Sequence, residues 1–264
     1  MWFAPYVKNF RVLSIDDEPV RSVNERAGPD GAKIKQACAY SAVAINVSQY
    51  LLYLQERARK ARAEVIKARL PVNAGLDAAL KAAEGLALEK GRGKASLFVN
   101  ATGLGAAKLV GDEAVYPIRG QTVLVKGEAP SIFTRSGTET GSYCIPRPGS
   151  GTTILGGTKE VGNWSETPDP AVTDRILRQA KPNMPHLLTG PDGGFEVVSV
   201  QCGLRPGRTG GARIETEVLG GSGRQVVHAY GHAGGGYQNS IGSARLVVKL
   251  VKESLEVAGR ASRL

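Results

Sequence analysis

One stretch near the carboxyl end, VVHAYGHAGGGYQNS at 226–240, limits the fold of this chain more than any other. A short apolar run rich in β-branched residues leads into three consecutive glycines, and Asn239 or Ser240 then offers an N-cap. This order predicts a strand, a glycine loop and a helix. Such a corner directs backbone N–H groups and the positive helix end at whatever lies before it. The stretch is therefore a candidate ligand site, although glycine-rich loops are usually only connections.

Composition narrows the class of protein. Of the 264 residues, 42% are hydrophobic and 22% charged, as in ordinary globular proteins. No apolar run reaches the length of a membrane span, and the start lacks the pattern of a signal peptide. The cysteines Cys38, Cys144 and Cys202 are odd in number and far apart, which indicates reduced thiols and neither a disulfide framework nor a metal site. The net charge of +10 raises nucleic acid as a partner, but the basic residues are scattered and we expect none.

Periodicity predicts alternating helices and strands after a first segment, 1–45, that is hard to interpret. The predicted helices are 46–68, 76–90, 169–180 and a final helix from about 240, and the predicted strands are 97–100, 121–126, 143–146, 152–156, 195–200 and 213–219. The final helix carries Ile241, Ala244, Val248, Val251 and Leu255 at three- and four-residue steps, which predicts one apolar face.

Few residues are candidates for chemistry. Arg205 stands between Leu204 and Pro206, where the backbone is stiff, and a positioned guanidinium suits a carboxylate ligand. A structural ion pair is the alternative for a lone arginine. Among the histidines, His228 lies in a predicted strand and is interpreted as structural, whereas His232 lies in the glycine loop and is a candidate for function.

Several long segments carry a resemblance over nearly the whole chain. They are WFAPYVKNFRVLS (2–14), VNATG (99–103), YPIRGQTVLV (116–125), SYCIPRPGSGTTILGGTKEVGNW (142–164), GLRPGRTGGARIE (203–215) and VVHAYGHAGGGYQNSIGSA (226–244). In this order they resemble the D-amino-acid oxidase family, which includes D-aspartate oxidase.

The resemblance implies a mixed α/β fold, in which an FAD-binding Rossmann-like domain is interleaved with a β-rich substrate-binding domain. We accordingly expect residues 1–45 to be the first segment of the substrate domain and 46–113 a segment of the FAD domain. Residues 114–206 would continue the substrate domain, with a lid at 127–142. Residues 207–264 would be the carboxyl-terminal segment of the FAD domain.

The same resemblance implies FAD as cofactor and oxidative deamination of D-amino acids as the reaction. Hydride passes from the substrate Cα to flavin N5, O₂ reoxidises the flavin and gives H₂O₂, and the imino acid hydrolyses to a 2-oxo acid and ammonia. This chemistry requires alignment of the substrate, without a protein acid or base.

Individual residues match positions of known role in the family. Arg205 matches the arginine that binds the substrate carboxylate, and Tyr143 matches the tyrosine that hydrogen-bonds it. Ala101 and Thr102 match flavin contacts. The stretch along the flavin pyrimidine, where a helix end can stabilise developing negative charge, corresponds to Gly234, Gly235, Gly236, Tyr237 and Gln238.

Two departures from the family pattern stand out. The family begins with a strand–GxGxxG–helix unit that holds the FAD pyrophosphate, and no GxGxxG occurs in this sequence. We therefore expect a truncated Rossmann-like domain, and a non-catalytic remnant that cannot hold FAD is the open alternative. The segment between Arg119 and Tyr143 also lacks the second tyrosine common in animal members.

Substrate and location are further expectations. Lys159 follows GGT where members acting on acidic substrates tend to be basic, so D-aspartate is an alternative to neutral D-amino acids. The chain ends in Ser262-Arg263-Leu264, a variant of the peroxisomal SKL signal. The expected partners are thus a D-amino acid, O₂ and the peroxisomal import receptor, with a homodimer left open and neither nucleic acid nor membrane.

Overall fold

A computed structural model describes residues 1–29, 32–137 and 141–261, with side chains described as far as Val257. It contains two units whose segments alternate along the chain. The first unit comprises Met1–Glu64, Gly120–Thr158 and Thr167–Cys202, and the second comprises Val65–Arg119, Lys159–Glu166 and Gly203–Leu264.

The described helices are α1 (Val20–Arg26), α2 (Val47–Lys60), α3 (Gly75–Glu89), α4 (Ala106–Leu109), α5 (Pro170–Ala180) and α6 (Ser240–Ala261). The strands are β1 (Arg11–Leu13), β2 (Ala37–Ala39), β3 (Phe98–Asn100), β4 (Val115–Lys126), β5 (Phe133–Arg135), β6 (Ser142–Arg147), β7 (Thr152–Gly156), β8 (Glu160–Val161), β9 (Val197–Arg208), β10 (Arg213–Val218) and β11 (Gln225–Tyr230). None of these helices combines the length and apolarity that a membrane crossing needs.

Three sheets organise the strands. β1 and β2 form an antiparallel pair, and β5, β6, β7, β4 and β8 follow one another in a larger sheet in which β9 also pairs with β4. The third sheet has the order β10-β11-β3, with β10 antiparallel and β3 parallel to β11. The chain passes between the units within β4 and again within β9.

The core of the first unit lies between its sheet and α5. Its buried apolar side chains are Val123, Val125, Ala129, Cys144, Leu155, Ile176, Ala180, Met184 and Leu187. The fully buried Gln121 joins the two layers, because its amide donates to the Asp169 carbonyl at 2.7 Å and accepts from the Asp169 N–H at 2.8 Å. The Asp169 carboxylate in turn caps α5 by accepting from the N–H of Ala171 at 2.8 Å.

The second unit packs α3 and α4 against the three-stranded sheet. Leu76, Ala79, Leu80, Leu109 and Val226 form its main buried cluster. Because β11 is central, its residues Val226, Val227 and His228 are completely buried. By contrast β3 is an edge strand, and Val99 remains 49% exposed.

The apolar face predicted for the final helix is mostly exposed in the second unit. α6 contacts β10 and β11, yet Ile241, Val248 and Leu255 are 63%, 52% and 41% exposed. The less exposed positions include Ser243, Val247 and Val251, so the partly buried face overlaps the predicted one only in part and mixes polar with apolar residues. The spacing predicted a helix correctly, because both faces of α6 have helical periodicity.

Most other predicted elements are confirmed, with shifted ends. α3, α5, β6 and β7 agree with prediction to within about one residue. α2 ends at Lys60 instead of 68, after which Arg62 adopts a left-handed φ of 62°. β4 and β9 are longer than predicted, and β1, α1 and β2 lie in the segment without clear periodicity.

The boundaries of the predicted domain segments differ from those of the observed units. α2 belongs to the first unit, although its residues fall in the predicted FAD segment, and Lys159–Glu166 belongs to the second. The proposed lid contains the short strand β5, and its residues 138–140 lie outside the described part of the chain. The identification of the units with FAD and substrate domains stays a prediction.

Candidate functional site

Two loops of the second unit and the end of β9 meet at one edge of its three-stranded sheet. β3 and β11 are parallel neighbours, so their carboxyl ends lie side by side. A Cβ placed on Gly103, after β3, would lie 3.8 Å from the Pro206 ring, and one on Gly234, after β11, would lie 3.8 Å from Cδ of Arg205. The Arg205–Pro206 pair therefore touches both loops, and the candidate site is built from residues 101–105, 205–206 and 232–240.

The strand–loop–helix corner predicted from the sequence is confirmed. β11 ends at Tyr230, a 3₁₀ turn covers Ala233–Gly235, and α6 begins at Ser240. The Asn239 carbonyl accepts the N–H of Ser243 at 2.9 Å, so Asn239 is the N-cap position. The first turn of this 22-residue helix contains no acidic side chain, which leaves its positive end unneutralised from within the helix.

The glycines of this corner serve two different purposes. Gly231 has a φ of 85°, and a Cβ there would lie 2.7 Å from Cβ of Arg208, so its backbone and its packing both require glycine. Gly234 and Gly236 lack a positive φ, and a Cβ on Gly236 would meet no described atom within 4 Å. Neither local backbone geometry nor internal packing requires these two glycines. Their bare surface is what a ligand approaching the backbone closely would need.

A buried hydrogen-bond chain positions the loop after β3. The side-chain carbonyl of Asn100 accepts from the Thr102 N–H at 3.2 Å and from the Thr102 hydroxyl at 2.7 Å, which fixes the orientation of the amide. The Asn100 amide nitrogen then donates to Nδ1 of His228 at 3.1 Å. The proton of neutral His228 must therefore reside on Nε2, which donates to Glu217 at 3.0 Å.

This network of hydrogen bonds continues away from the loops through charged residues. Arg213 pairs with Glu217 at 2.8 Å and donates to the Tyr230 hydroxyl at 3.1 Å, and that hydroxyl donates to Asp112 at 2.8 Å. Arg208 also pairs with Asp112 at 2.8 Å. Burial opposes ionisation of Asp112, but the hydrogen bonds from Arg208 and Tyr230 outweigh it and lower the pKa of this carboxyl. The result is an ionised, fully paired scaffold beneath the candidate site.

The histidines separate into structural and loop residues. His228 is completely buried, as expected of a structural histidine, and burial together with the charge of Arg213 lowers its pKa. His232 is half-buried, and its Nε2 lies 3.0 Å from the hydroxyl of Ser243 in α6. This contact ties the glycine loop to the helix.

Among the described residues no group of His, Cys, Asp or Glu forms a metal site.

The remaining predicted site residues lie as follows. Ala101, Thr102 and Gln238 are exposed and Tyr237 is 44% exposed, all in the second unit. Lys159 is exposed in the same unit, next to the Glu160 that pairs with the buried Arg119 at 2.7 Å.

Tyr143 lies on β6 in the first unit and is not part of this candidate site. A Cβ on Gly156 of the neighbouring strand would overlap its ring, so a glycine is needed there to seat the tyrosine.

Sequence reasoning missed Asn100, although it carries the position of Thr102. The signal was present, since Asn100 is a polar residue that ends an apolar strand and directly precedes a loop of small residues. Asp112 and Tyr230 gave no comparable signal, because their pairing joins residues 118 positions apart.

The chain matches the family model described as FAD dependent oxidoreductase over residues 8–250. It belongs to that family. It is 38% identical over 221 residues to a D-amino-acid oxidase of Fusarium vanettenii, a match covering 81% of this chain and 58% of the relative. It is 42% identical over 172 residues to a D-amino-acid oxidase of Schizosaccharomyces pombe, covering 62% of this chain and 49% of the relative. The chain thus spans about half the length of the curated relatives it matches.

Solved structures agree with the fold. Glycine oxidase from Bacillus cereus superposes with a TM-score of 0.51 at 21% identity, over 61% of this chain and 44% of that protein. The mixed α/β class and membership of the family are therefore confirmed, and FAD is the family's cofactor. The bare glycine turn before the acid-free start of α6 fits one edge of such a group.

The neutral state of His228 makes stability of the second unit depend on pH. Its folded-state pKa lies below the ordinary 6.5, so below that pH the unfolded chain takes up a proton that the folded chain resists. We expect the free energy of unfolding to be maintained above about pH 6.5 and to fall as the pH drops below that value. Urea titrations at about pH 7.5 and 5.5 should show a smaller loss in His228→Gln than in the parent chain.

His186→Gln is the matched control, because His186 is exposed. It should retain the parent pH dependence. Equal losses of stability in both variants and the parent would contradict a role for His228.

Proposed function

We propose that this chain provides the substrate-binding and flavin-ring portion of an FAD-dependent oxidase that deaminates D-amino acids. One observation carries the proposal: a Cβ on Gly234 would lie 3.8 Å from Cδ of Arg205, and both Gly234 and Gly236 are exposed. A guanidinium beside exposed backbone supports a site in which a substrate carboxylate binds next to a planar cofactor. Two relatives named D-amino-acid oxidase, at 38% and 42% identity, support the substrate class.

Each residue has a defined task in this proposal. Arg205 binds the substrate carboxylate in a bidentate manner and orients the Cα–H bond. A hydrogen bond from Tyr143 of the first unit to a substrate carboxylate is proposed from the family resemblance alone. The chemistry that FAD supplies when bound is acceptance of hydride from Cα and transfer of the electrons to O₂, which gives H₂O₂.

The cofactor side of the site is assigned to the two loops. Backbone N–H groups of the stretch from Gly234 to Gln238 and the start of α6 stabilise negative charge on the flavin pyrimidine. Ala101 and Thr102 contact the flavin from the loop after β3, where Asn100 holds Thr102 in place. The imino acid product hydrolyses in water to a 2-oxo acid and ammonia.

A methyl group on Gly236 tests the cofactor site. We expect Gly236→Ala to bind FAD about tenfold more weakly, or ~1.4 kcal/mol, because the methyl would stand on the face that the ring approaches. Titration of the purified chain with FAD, followed by flavin fluorescence, measures the affinity. Gly221→Ala is the control, since Gly221 lies in the same unit, lacks a positive φ and has open space for a methyl.

Equal FAD affinity in Gly236→Ala and Gly221→Ala would show that the flavin does not bind against this loop. Absence of any flavin binding by the parent chain would favour the alternative, a remnant that binds or dimerises without catalysis. The open edge of β3 and the exposed Ile241 and Val248 of α6 support that alternative, since exposed apolar surface favours association. Chain mass in solution and peroxide release from D-alanine would then separate the two.

Substrate preference is proposed to depend on Lys159, an exposed cation of the second unit. If it attracts an acidic side chain, Lys159→Ala should lower kcat/KM for D-aspartate about two- to fivefold, the scale of an exposed charge, and leave D-alanine unchanged. Peroxide release from both substrates measures this, and Lys159→Arg should retain D-aspartate turnover. Equal changes for both substrates would exclude a role in specificity.

Peroxisomal import is proposed from Ser262-Arg263-Leu264 alone, residues outside the described part of the chain. An oxidase that produces H₂O₂ suits that compartment. A chain with an amino-terminal fluorescent tag should enter peroxisomes, and removal of the last three residues should leave it in the cytosol. Identical distribution of both forms would refute the signal.

A further inference from the structure

The first unit contains a cavity of about 500 Å³ that none of the residues assigned above lines. Its described walls come from the end of α1, the strand β5 and the end of α5 with the loop that follows. They are Arg26, Ala27, Ala32, Arg135, Arg178, Gln179, Lys181, Pro182, Pro185 and Leu188. A volume of this size is typical of pockets for small organic molecules and far exceeds that of a single inorganic ion.

Four of the described lining residues are cations and none is an acid: Arg26, Arg135, Arg178 and Lys181. Within the described chain no carboxylate forms an ion pair with any of them. Glu18 interacts electrostatically with Arg26, but the Glu18 carboxylate pairs with Arg21 at 2.8 Å. Burial lowers the pKa of Arg135, which reflects a cation partly withdrawn from water.

The carboxyl-terminal end of a helix attracts cations, so helix capping accounts for part of this positive charge. α1 and α5 both end at the cavity, and each helix end carries about half a negative charge. The two ends together offset about one of the four positive charges. The charge of the helix ends therefore leaves the described lining of the cavity positive.

Two of the guanidinium groups are held in place by backbone carbonyls. Nε of Arg26 donates to the Pro182 carbonyl at 2.7 Å, which links the end of α1 to the segment after α5. Arg135 donates to the Ala32 carbonyl. Because a guanidinium has five N–H donors in a fixed plane, each still offers further donors to a ligand.

The remaining walls are apolar. Ala27, Pro182, Pro185 and Leu188 contribute carbon surface to the same cavity. An inorganic anion would leave this surface wet, whereas a ligand with both a multiply charged group and an apolar body would use both halves.

We propose that this cavity binds a phosphomonoester of a small organic molecule, with the phosphate held by Arg26, Arg135, Arg178 and Lys181 and the organic body against the apolar wall. Phosphate suits this set because its oxygens accept bidentate hydrogen bonds from guanidinium groups and its two charges exceed those of a simple carboxylate. The site would make the first unit responsive to a phosphorylated metabolite.

Isothermal titration calorimetry of the 264-residue chain with phenyl phosphate tests the proposal. We expect saturable binding at one site, with inorganic phosphate weaker and phenol negligible. Arg178→Gln should weaken binding about tenfold, the scale of one hydrogen bond to a charged group. Lys181→Gln provides a second measurement at another exposed side chain, and urea unfolding verifies that both variants remain folded.

Two further variants act as controls. Arg57→Gln removes the same charge from α2 in the same unit, away from the cavity, and should leave the affinity unchanged. Arg205→Gln should also retain phenyl phosphate binding, because Arg205 does not line the cavity. Three results would each overturn the proposal: no saturable binding, equal weakening by Arg57→Gln and Arg178→Gln, or loss of binding only in Arg205→Gln.

Discussion

The parallel pairing of β3 with β11 is the contact on which the candidate site depends. In its register Asn100 lies opposite His228, two buried polar residues that satisfy each other within the sheet. A shift of one residue in the pairing would place these side chains on opposite faces and break the hydrogen bond between them, and a buried polar group left unsatisfied costs about 1–3 kcal/mol. The register therefore determines where the two following loops meet, and the Arg205–Pro206 pair fits between them.

The sequence predicted this site in part. The corner at 226–240 was predictable because β-branched residues, glycines and an N-cap all favour the same local structure. Contacts between distant segments were not, since the approach of Gly234 to Arg205 depends on how β9 runs beside two loops. The offset of the α6 face has the same origin, because Ile241 and Val248 have suitable spacing but the sheet lies on the other side.

The glycines of the loop after β11 have different roles, which the structure distinguishes and the sequence motif does not. In the sequence Gly231 and Gly236 look equivalent, yet only Gly231 has a positive φ and a crowded Cβ position. Gly207 is likewise structural, since a Cβ there would lie 2.5 Å from the Tyr116 ring. In this loop Gly234 and Gly236 differ from the structural glycines, because neither their backbone conformation nor packing within the described chain requires glycine. A functional interpretation of the loop thus rests on these two positions.

Protonation of His228 would reach the candidate cofactor loop through hydrogen bonds alone. A proton on Nδ1 would face the Asn100 amide nitrogen, which also donates, so the pair could not stay as it is. Rotation of the Asn100 amide would relieve this conflict but would remove the oxygen that accepts from the Thr102 N–H and hydroxyl. The same burial that lowers the histidine pKa therefore protects the position of Thr102. In this way His228 controls the geometry of the loop for which a flavin contact is proposed.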